Sequence, residues 1–505
     1  MRKFPQISVW LARLWLMTGL AAGSGAVHAA DAAYGFLFDA HKLTLSSGLR
    51  QEALGPLFSF QTEETREEWG LHPLFSLSRD RDPDLEALEW DFLYPLMSHD
   101  RFGREYRWHF FQLLSFSGGA NLDDQAGERR RFSLFPFVFY GRSQNPADNY
   151  TAFFPFYGHT KKRFLRDEIR VVMAPFYVQT RKRDVVTDNY LYPFFHLRRG
   201  DHLRGWQLWP FYGHETREAF ARTDSFGDAE TAPGHEKRFI LWPFFLEETA
   251  DIGGANPRHT WALLPFYSAQ RSAARDSTSY LWPLGLTLTD DRAKKYREIG
   301  APWPLVVFAR GEGKTCHRVF PLFSFAHTPT HRSEFLLWPL YKRNSLSLAP
   351  LERDRLRILF FLYSDTVERN TETREARRLI SLWPLFTHRE ELNGNRRFQL
   401  LAPLEPLLPN NKSVQRNYSP LWSLWRAEKN AATGETSQSL LWNLYRHETG
   451  PTHRQTSLLF GLWQNRSTPE GSRTRLFFIP LGKSRSGPGA APCEKRLMDS
   501  PPALR

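Results

Sequence analysis

Cysteine is nearly missing from this chain. Two residues, Cys316 and Cys493, among 505 cannot build a disulfide framework, and no Cys/His cluster has the spacing of a zinc site. After Ala30 no apolar run approaches the ~20 residues of a membrane-spanning helix. A mature chain that enters a bilayer integrally must then do so as closed β-structure. Long runs of one charge sign are missing as well. The net charge is +13, but bases alternate with acids, as in Arg198-Arg199-Gly200-Asp201 and Glu375-Ala376-Arg377-Arg378. Such residues read as solvated turns, and no nucleic-acid partner is expected. The Gly-rich stretch Gly311-Glu312-Gly313-Lys314 lacks the spacing and helix of a phosphate loop.

The N-terminus carries the three parts of a secretory signal. Arg2 and Lys3 precede an apolar stretch from Val9 to Ala22, interrupted by Arg13, and small residues follow. Residues 1–29 are expected to be a signal peptide, removed near Ala29 or Ala30.

Aromatic residues make up 15% of a chain that is 24% charged, so they must be concentrated somewhere. They gather around proline. In eleven copies an aromatic precedes Pro and Leu or Phe follows, for example at Pro95, Pro155, Pro210, Pro243, Pro339 and Pro384. Looser copies at Pro56, Pro73, Pro175, Pro265, Pro403, Pro420 and Pro480 keep Pro with Leu or Phe. The steps from Pro136 to Pro155, Pro175, Pro193 and Pro210 are 19, 20, 18 and 17 residues. An internal repeat of this period signals a repeat architecture. Longer gaps read as double steps with an eroded copy, near Phe360 to Ser364, at Trp442-Asn443-Leu444-Tyr445 and at Gly461-Leu462-Trp463.

Each unit reads as one strand and one turn. In Phe335-Leu336-Leu337-Trp338-Pro339-Leu340-Tyr341, alternation puts Phe335, Leu337, Pro339 and Tyr341 on one face and Leu336, Trp338 and Leu340 on the other. Both faces are apolar, and Trp338 and Tyr341 are expected to be core on opposite sides. Proline within every strand costs a ladder hydrogen bond, so a shared bulge or bend is expected. The fold class expected is all-β: an antiparallel meander of about 20–22 repeated strands, closed or curved like a barrel, with a parallel β-solenoid as the alternative. The repeat domain spans 30–482. The Gly/Pro/Ser-rich stretch 483–505 reads as a disordered tail.

The runs Phe154-Pro155-Phe156-Tyr157-Gly158-His159, Tyr192-Pro193-Phe194-Phe195 and Trp209-Pro210-Phe211-Tyr212-Gly213-His214 resemble those of uncharacterised exported bacterial proteins with tandem Trp-Pro-Leu/Phe strands. The resemblance covers most of the mature chain. It implies a bacterial, exported repeat protein and carries no activity and no site.

His159 and His214 recur in a Phe-Tyr-Gly-His context, and Glu215 follows only His214. Repetition at equivalent strand ends is what structure produces, and a catalytic histidine needs a convergent partner. Adjacent acids at Glu247-Glu248, Asp290-Asp291 and Glu390-Glu391 read as solvated turn residues rather than the facing carboxylates of a glycosidase. No catalytic residue, metal site or cofactor is assigned. The sequence favours a non-enzymatic cell-envelope protein, exported to the outer membrane or periplasm, as an outer-membrane β-barrel-like scaffold or channel in contact with outer-membrane lipid. Two apolar faces and a proline in every strand are foreign to that class. The alternative is a soluble periplasmic or surface array that binds polysaccharide or an envelope protein.

Overall fold

A computed structural model of the chain describes residues 36–83, 86–119, 129–200, 202–223, 227–469 and 471–481. The expected signal peptide, its cleavage site, the tail 483–505 and Cys493 lie outside the described residues.

The Trp-Pro motif is a turn, not a strand centre. In Leu208-Trp209-Pro210-Phe211 the Phe211 amide donates to the Leu208 carbonyl at 2.8 Å, which closes a β-turn with proline at its third place. The peptide bond before that proline is cis, as it is at Trp242-Pro243 and Trp338-Pro339. The missing proline N–H is not needed there, and the proline carbonyl is used. The Trp242 amide donates to the Pro210 carbonyl at 2.6 Å and the Leu241 amide to the Phe211 carbonyl at 2.7 Å. Trp338 and Leu337 repeat this on Pro321 and Leu322. The motif turns therefore continue the ladder from unit to unit along one edge, and no bulge at proline is required.

The stretches between motifs, which look like charged turns in the sequence, form the strands. Each unit supplies two, joined at the far edge by a polar turn such as Glu312-Gly313-Lys314 or Asn393-Gly394. The described residues hold 45 strands, not 20–22. Of these, 43 form one sheet. Neighbours pair antiparallel throughout, which excludes the parallel solenoid. The long step from Pro210 to Pro243 contains a separate two-stranded ribbon, Phe220–Thr223 with Ala229–Ala232. The eroded copies are motif turns without proline. Leu362, Leu444 and Leu462 close them onto the carbonyls of Leu359, Leu441 and Leu459.

The expected barrel closure is not found. Among the described residues, strand Asp39–Lys42 pairs only with Gly48–Ala53, and Ile479–Leu481 only with Gly471–Leu476. The sheet instead bends until its first strands lie against its last ones, joined by side chains. Thr44 Oγ1 donates to Ser437 Oγ at 2.7 Å, and Asn443 Nδ2 donates to Asp39 Oδ2 at 2.8 Å.

The two faces differ, contrary to the expectation that both are apolar. Directly opposed residues share a face. One row beside the motif turns runs Phe195, Leu208, Tyr212, Ile240, Phe245 and Leu263. Every member of this row from Phe58 to Leu286 is aliphatic or aromatic. The matching row on the other face runs Ser59, Gly70, Ser76, Asp91, Ser98 and His109 at the start of the sheet. It runs Ser381, Thr387, Gln399, Arg426 and Ser439 near the end. Ser76, Asp91 and Gln399 are buried, so this is the inner face; in the middle of the sheet its row turns apolar, with Phe139, Val171, Val178, Phe239 and Leu246.

This placement resets the cost of changing the motif. Trp338 sits in a turn, 40% exposed, against the rings of Phe320 at 5.5 Å and Phe360 at 5.3 Å. Tyr341 stands in the outer row and is half-buried. Neither is a closed-core residue. Trp338→Ala and Tyr341→Ala are each expected to lower stability by about 1–2 kcal/mol, below the ~3–5 of a buried aromatic. Arg343→Ala, which removes an exposed pair with Asp354, should cost about 1 kcal/mol or less. Urea titration of the three variants checks the order.

Candidate functional site

The motif turns form a rim of exposed apolar side chains. Leu241, Phe244, Leu337 and Phe266 are 53%, 53%, 56% and 63% exposed. Several of the leading residues have left-handed backbone: Leu191, Leu241, Leu281 and Leu337 have φ of 51°, 47°, 54° and 44°. That region suits glycine or asparagine, and a branched apolar side chain there carries a steric cost. Strain kept at an exposed position points to use of the side chain that bears it. Neighbouring turns also bring their rings into tilted contact, Phe194 with Trp209 at 5.9 Å and Trp209 with Trp242 at 5.8 Å.

Behind the rim, the outer face keeps further rings, such as Trp206 against Tyr212 at 5.2 Å and Trp261 against Tyr267 at 4.7 Å. Four residues from the apolar row comes a charged row. Between Met97 and Phe195 it holds Arg101, Arg130, Arg142, Lys161, Arg181 and Arg199, with Glu168 as the acid among them. Between Met97 and Phe195 the outer face thus grades from apolar at the rim to mainly basic beyond it, whereas farther along the same row mixes Arg204 and Arg271 with Glu236, Asp276 and Asp290.

The inner face closes where the sheet's two ends meet. After strand Arg396–Leu400 a motif turn is replaced by an excursion with two short helices, α1 (Lys412–Asn417) and α2 (Ser419–Trp422). Asn411 caps α1, its side chain accepting from the Val414 amide. Arg416 reaches across to the first strands. It donates to Asp91 at 2.6 Å, Glu89 at 3.0 Å and Ser76 at 2.9 Å. Asn417 adds a bond to Asp91 at 2.9 Å. The Arg416 and Asp91 side chains are 7% and 2% exposed. Further ion pairs line the same face, Arg50 with Glu52 and Arg446 with Glu448. Burial alone would raise the Glu428 and Glu448 carboxyls, but Arg426 and Arg397 beside the first and Arg446 beside the second hold both below their ordinary range. Burial pushes the His72 imidazole down to about 4, and the nearby Arg50 adds to this.

The histidines and acids singled out in the sequence are not brought together. His159 and His214 stand on the outer face, with five strands and about 30 Å of sheet between them. His159 Nε2 lies 3.0 Å from the Asn149 carbonyl oxygen, and His214 Nε2 3.3 Å from Glu236. Glu215 points to the inner face, where it holds His235 at 2.7 Å and Arg198. The glycine of Phe-Tyr-Gly-His is steric: a Cβ on Gly213 would come 2.1 Å from the Phe239 ring. Glu247 and Glu248 take opposite faces, pairing with Arg238 and Lys237. Asp290 pairs with Arg297, and Glu390 and Glu391 pair with Arg396 and Arg389. Asp291 accepts from the Lys294 amide. Among the described residues no group of three or more His, Cys, Asp and Glu is placed to hold a metal ion. Cys316 is a buried free thiol.

Sequence reasoning missed the Arg416–Asp91 cluster, whose members lie 325 residues apart. The looser motif copies expected at Pro403 and Pro420 lie instead in the excursion that carries Arg416, Pro420 within α2. No family model matches the chain, and no curated protein matches it. Fold and surface together define an all-β repeat protein, a long antiparallel meander with an apolar outer rim and an inner face that is polar toward both ends of the sheet.

Proposed function

We propose that the protein is a non-enzymatic scaffold of the bacterial cell envelope, exported and held by its rim against outer-membrane lipid. The observation that carries this reading is the unbroken apolar row from Phe58 to Leu286 together with the exposed tips beside it. Apolar surface on this scale marks a membrane or protein contact. The tips repeat with little variation and frame no single pocket, which suits a fluid surface better than a protein partner with a few anchor pockets. The basic start, apolar stretch and small residues of the N-terminus support export.

A second reading rests on the outer-face ring pairs Trp206–Tyr212 and Trp261–Tyr267, whose tryptophans are exposed. In a soluble periplasmic array such pairs would stack on sugar rings of a polysaccharide. Fractionation separates the two. The lipid reading expects the protein in the outer-membrane fraction, released by detergent. Release by osmotic shock alone, with no membrane-bound pool, overturns it in favour of the soluble array.

A further inference from the structure

We propose that the rim enters one leaflet only, and that the basic row behind it stops the descent at anionic lipid headgroups. This rests on the lipid reading above and sets its depth and its lipid chemistry.

The depth follows from strand length. A strand rises ~3.4 Å per residue, so the apolar row and the charged row, four residues apart, are separated by about 14 Å. The turn adds a few ångströms beyond the apolar row. Half of a ~30 Å hydrocarbon core is about 15 Å, whereas the outward band of a membrane-spanning barrel is ~25 Å tall. The rim is tall enough for one leaflet and too short for two. In places charge begins sooner. Arg170, Arg238 and Arg343 stand on the outer face two residues from the apolar row, and full insertion would carry them to the bilayer centre. Long arginine stems can instead reach back to the headgroups when the rim goes only halfway in. The open edges of the sheet fit the same depth, because unpaired strand edges are not tolerated across hydrocarbon.

The lipid chemistry follows from sign. From Met97 to Phe195 the row that would meet the headgroups holds six bases and one acid, Glu168, with Tyr106, Gly118 and Val186 neutral between them, and each basic group near an anionic surface favours the bound state. Arg142 also lies over the Tyr140 ring at 4.2 Å, which aims its charge along the outer face.

The test uses the purified mature chain and lipid vesicles. One set is phosphatidylcholine alone, and the other adds phosphatidylglycerol. Tryptophan emission is read with brominated acyl chains in the bilayer and with iodide trapped inside the vesicles. The proposal expects flotation that requires phosphatidylglycerol and weakens with salt, quenching by brominated chains, none by trapped iodide, and no release of an enclosed dye. Leu241→Asn, Leu281→Asn and Leu337→Asn together keep the fold, because asparagine accepts the left-handed backbone, and should weaken binding about tenfold or more. Arg101→Gln and Arg181→Gln should each weaken it about fivefold in phosphatidylglycerol and leave phosphatidylcholine unaffected. Quenching by trapped iodide, or dye release, shows a spanning protein and overturns the inference while leaving the lipid reading standing. Equal binding to both vesicles overturns the anionic part. Binding to neither overturns the lipid reading itself.

Discussion

Arg416→Ala is expected to lower the stability of the protein by about 3–5 kcal/mol, the usual result of removing one partner from a buried ion pair. The reason is what it leaves behind. Asp91 is 2% exposed and takes its charge-assisted bond from Arg416 at 2.6 Å. Without the guanidinium, Asp91 keeps Asn417 and Ser413 but loses the positive charge, and Glu89 loses its partner as well. Replacing both members of the main pair, Asp91→Asn with Arg416→Met, should restore much of the loss, since a buried pair contributes little net stability over a well-packed neutral substitute. Urea unfolding of the two variants checks this. Equal destabilisation by the single and double changes would mean that packing of α1, not charge, holds the two ends of the sheet together.

The second large effect is a loss of stability on mild acidification. His72 is 4% exposed, and its folded pKa is about 4 against an ordinary value of 6.5. The fold therefore favours the neutral ring. This contribution is complete above pH 6.5 and is lost as pH falls toward 4, a change of ~3 kcal/mol. Burial sets the sign, and the neighbours reinforce it. Arg50 and Arg416 oppose a further positive charge, and Glu52 only partly offsets them. Burial lowers His99, His109 and His196 in the same direction, so they add to the slope. The buried carboxyls Asp39, Glu52, Glu428 and Glu448 are held below their ordinary range. Their contribution persists until lower pH, which leaves the interval from 6.5 to about 4.5 to the histidines. Melting temperature measured across that interval should fall in the wild type and fall less in His72→Gln. An unchanged slope in the variant would remove His72 from the account.

The repeat was legible in the sequence because its proline and aromatics are fixed in spacing. The all-β antiparallel class followed from that period and the short connections. The strand register was not legible. Trp-Pro-Leu is so apolar that it reads as the buried centre of a strand, and Arg198-Arg199-Gly200 and Ala376-Arg377-Arg378, which belong to strands Phe195–Gly200 and Ala376–Leu382, read as solvated turns. The structure reverses this because proline's missing N–H is harmless only in the turn, while the polar inner face lets Ser, Asp, Gln and Arg stand within strands. That reversal doubles the strand count and turns the expected two-sided core into one exposed apolar surface. The side-chain meeting of early and late strands was not legible either. It depends on contacts such as Asn443 with Asp39, 404 residues apart, which no local pattern encodes. His159 and His214 occupy equivalent places on the outer face, each two residues from the apolar row.

The most direct test of the rim as the lipid contact is thiol labelling at its two edges. Leu241→Cys lies in a motif turn, and Glu372→Cys in a polar turn at the opposite edge. With Cys493 replaced by serine, buried Cys316 is the remaining thiol. On envelope membranes, a water-soluble maleimide should label Glu372→Cys freely and Leu241→Cys only after detergent is added. Equal labelling of both sites before detergent, or protection of Glu372→Cys instead, would contradict the account.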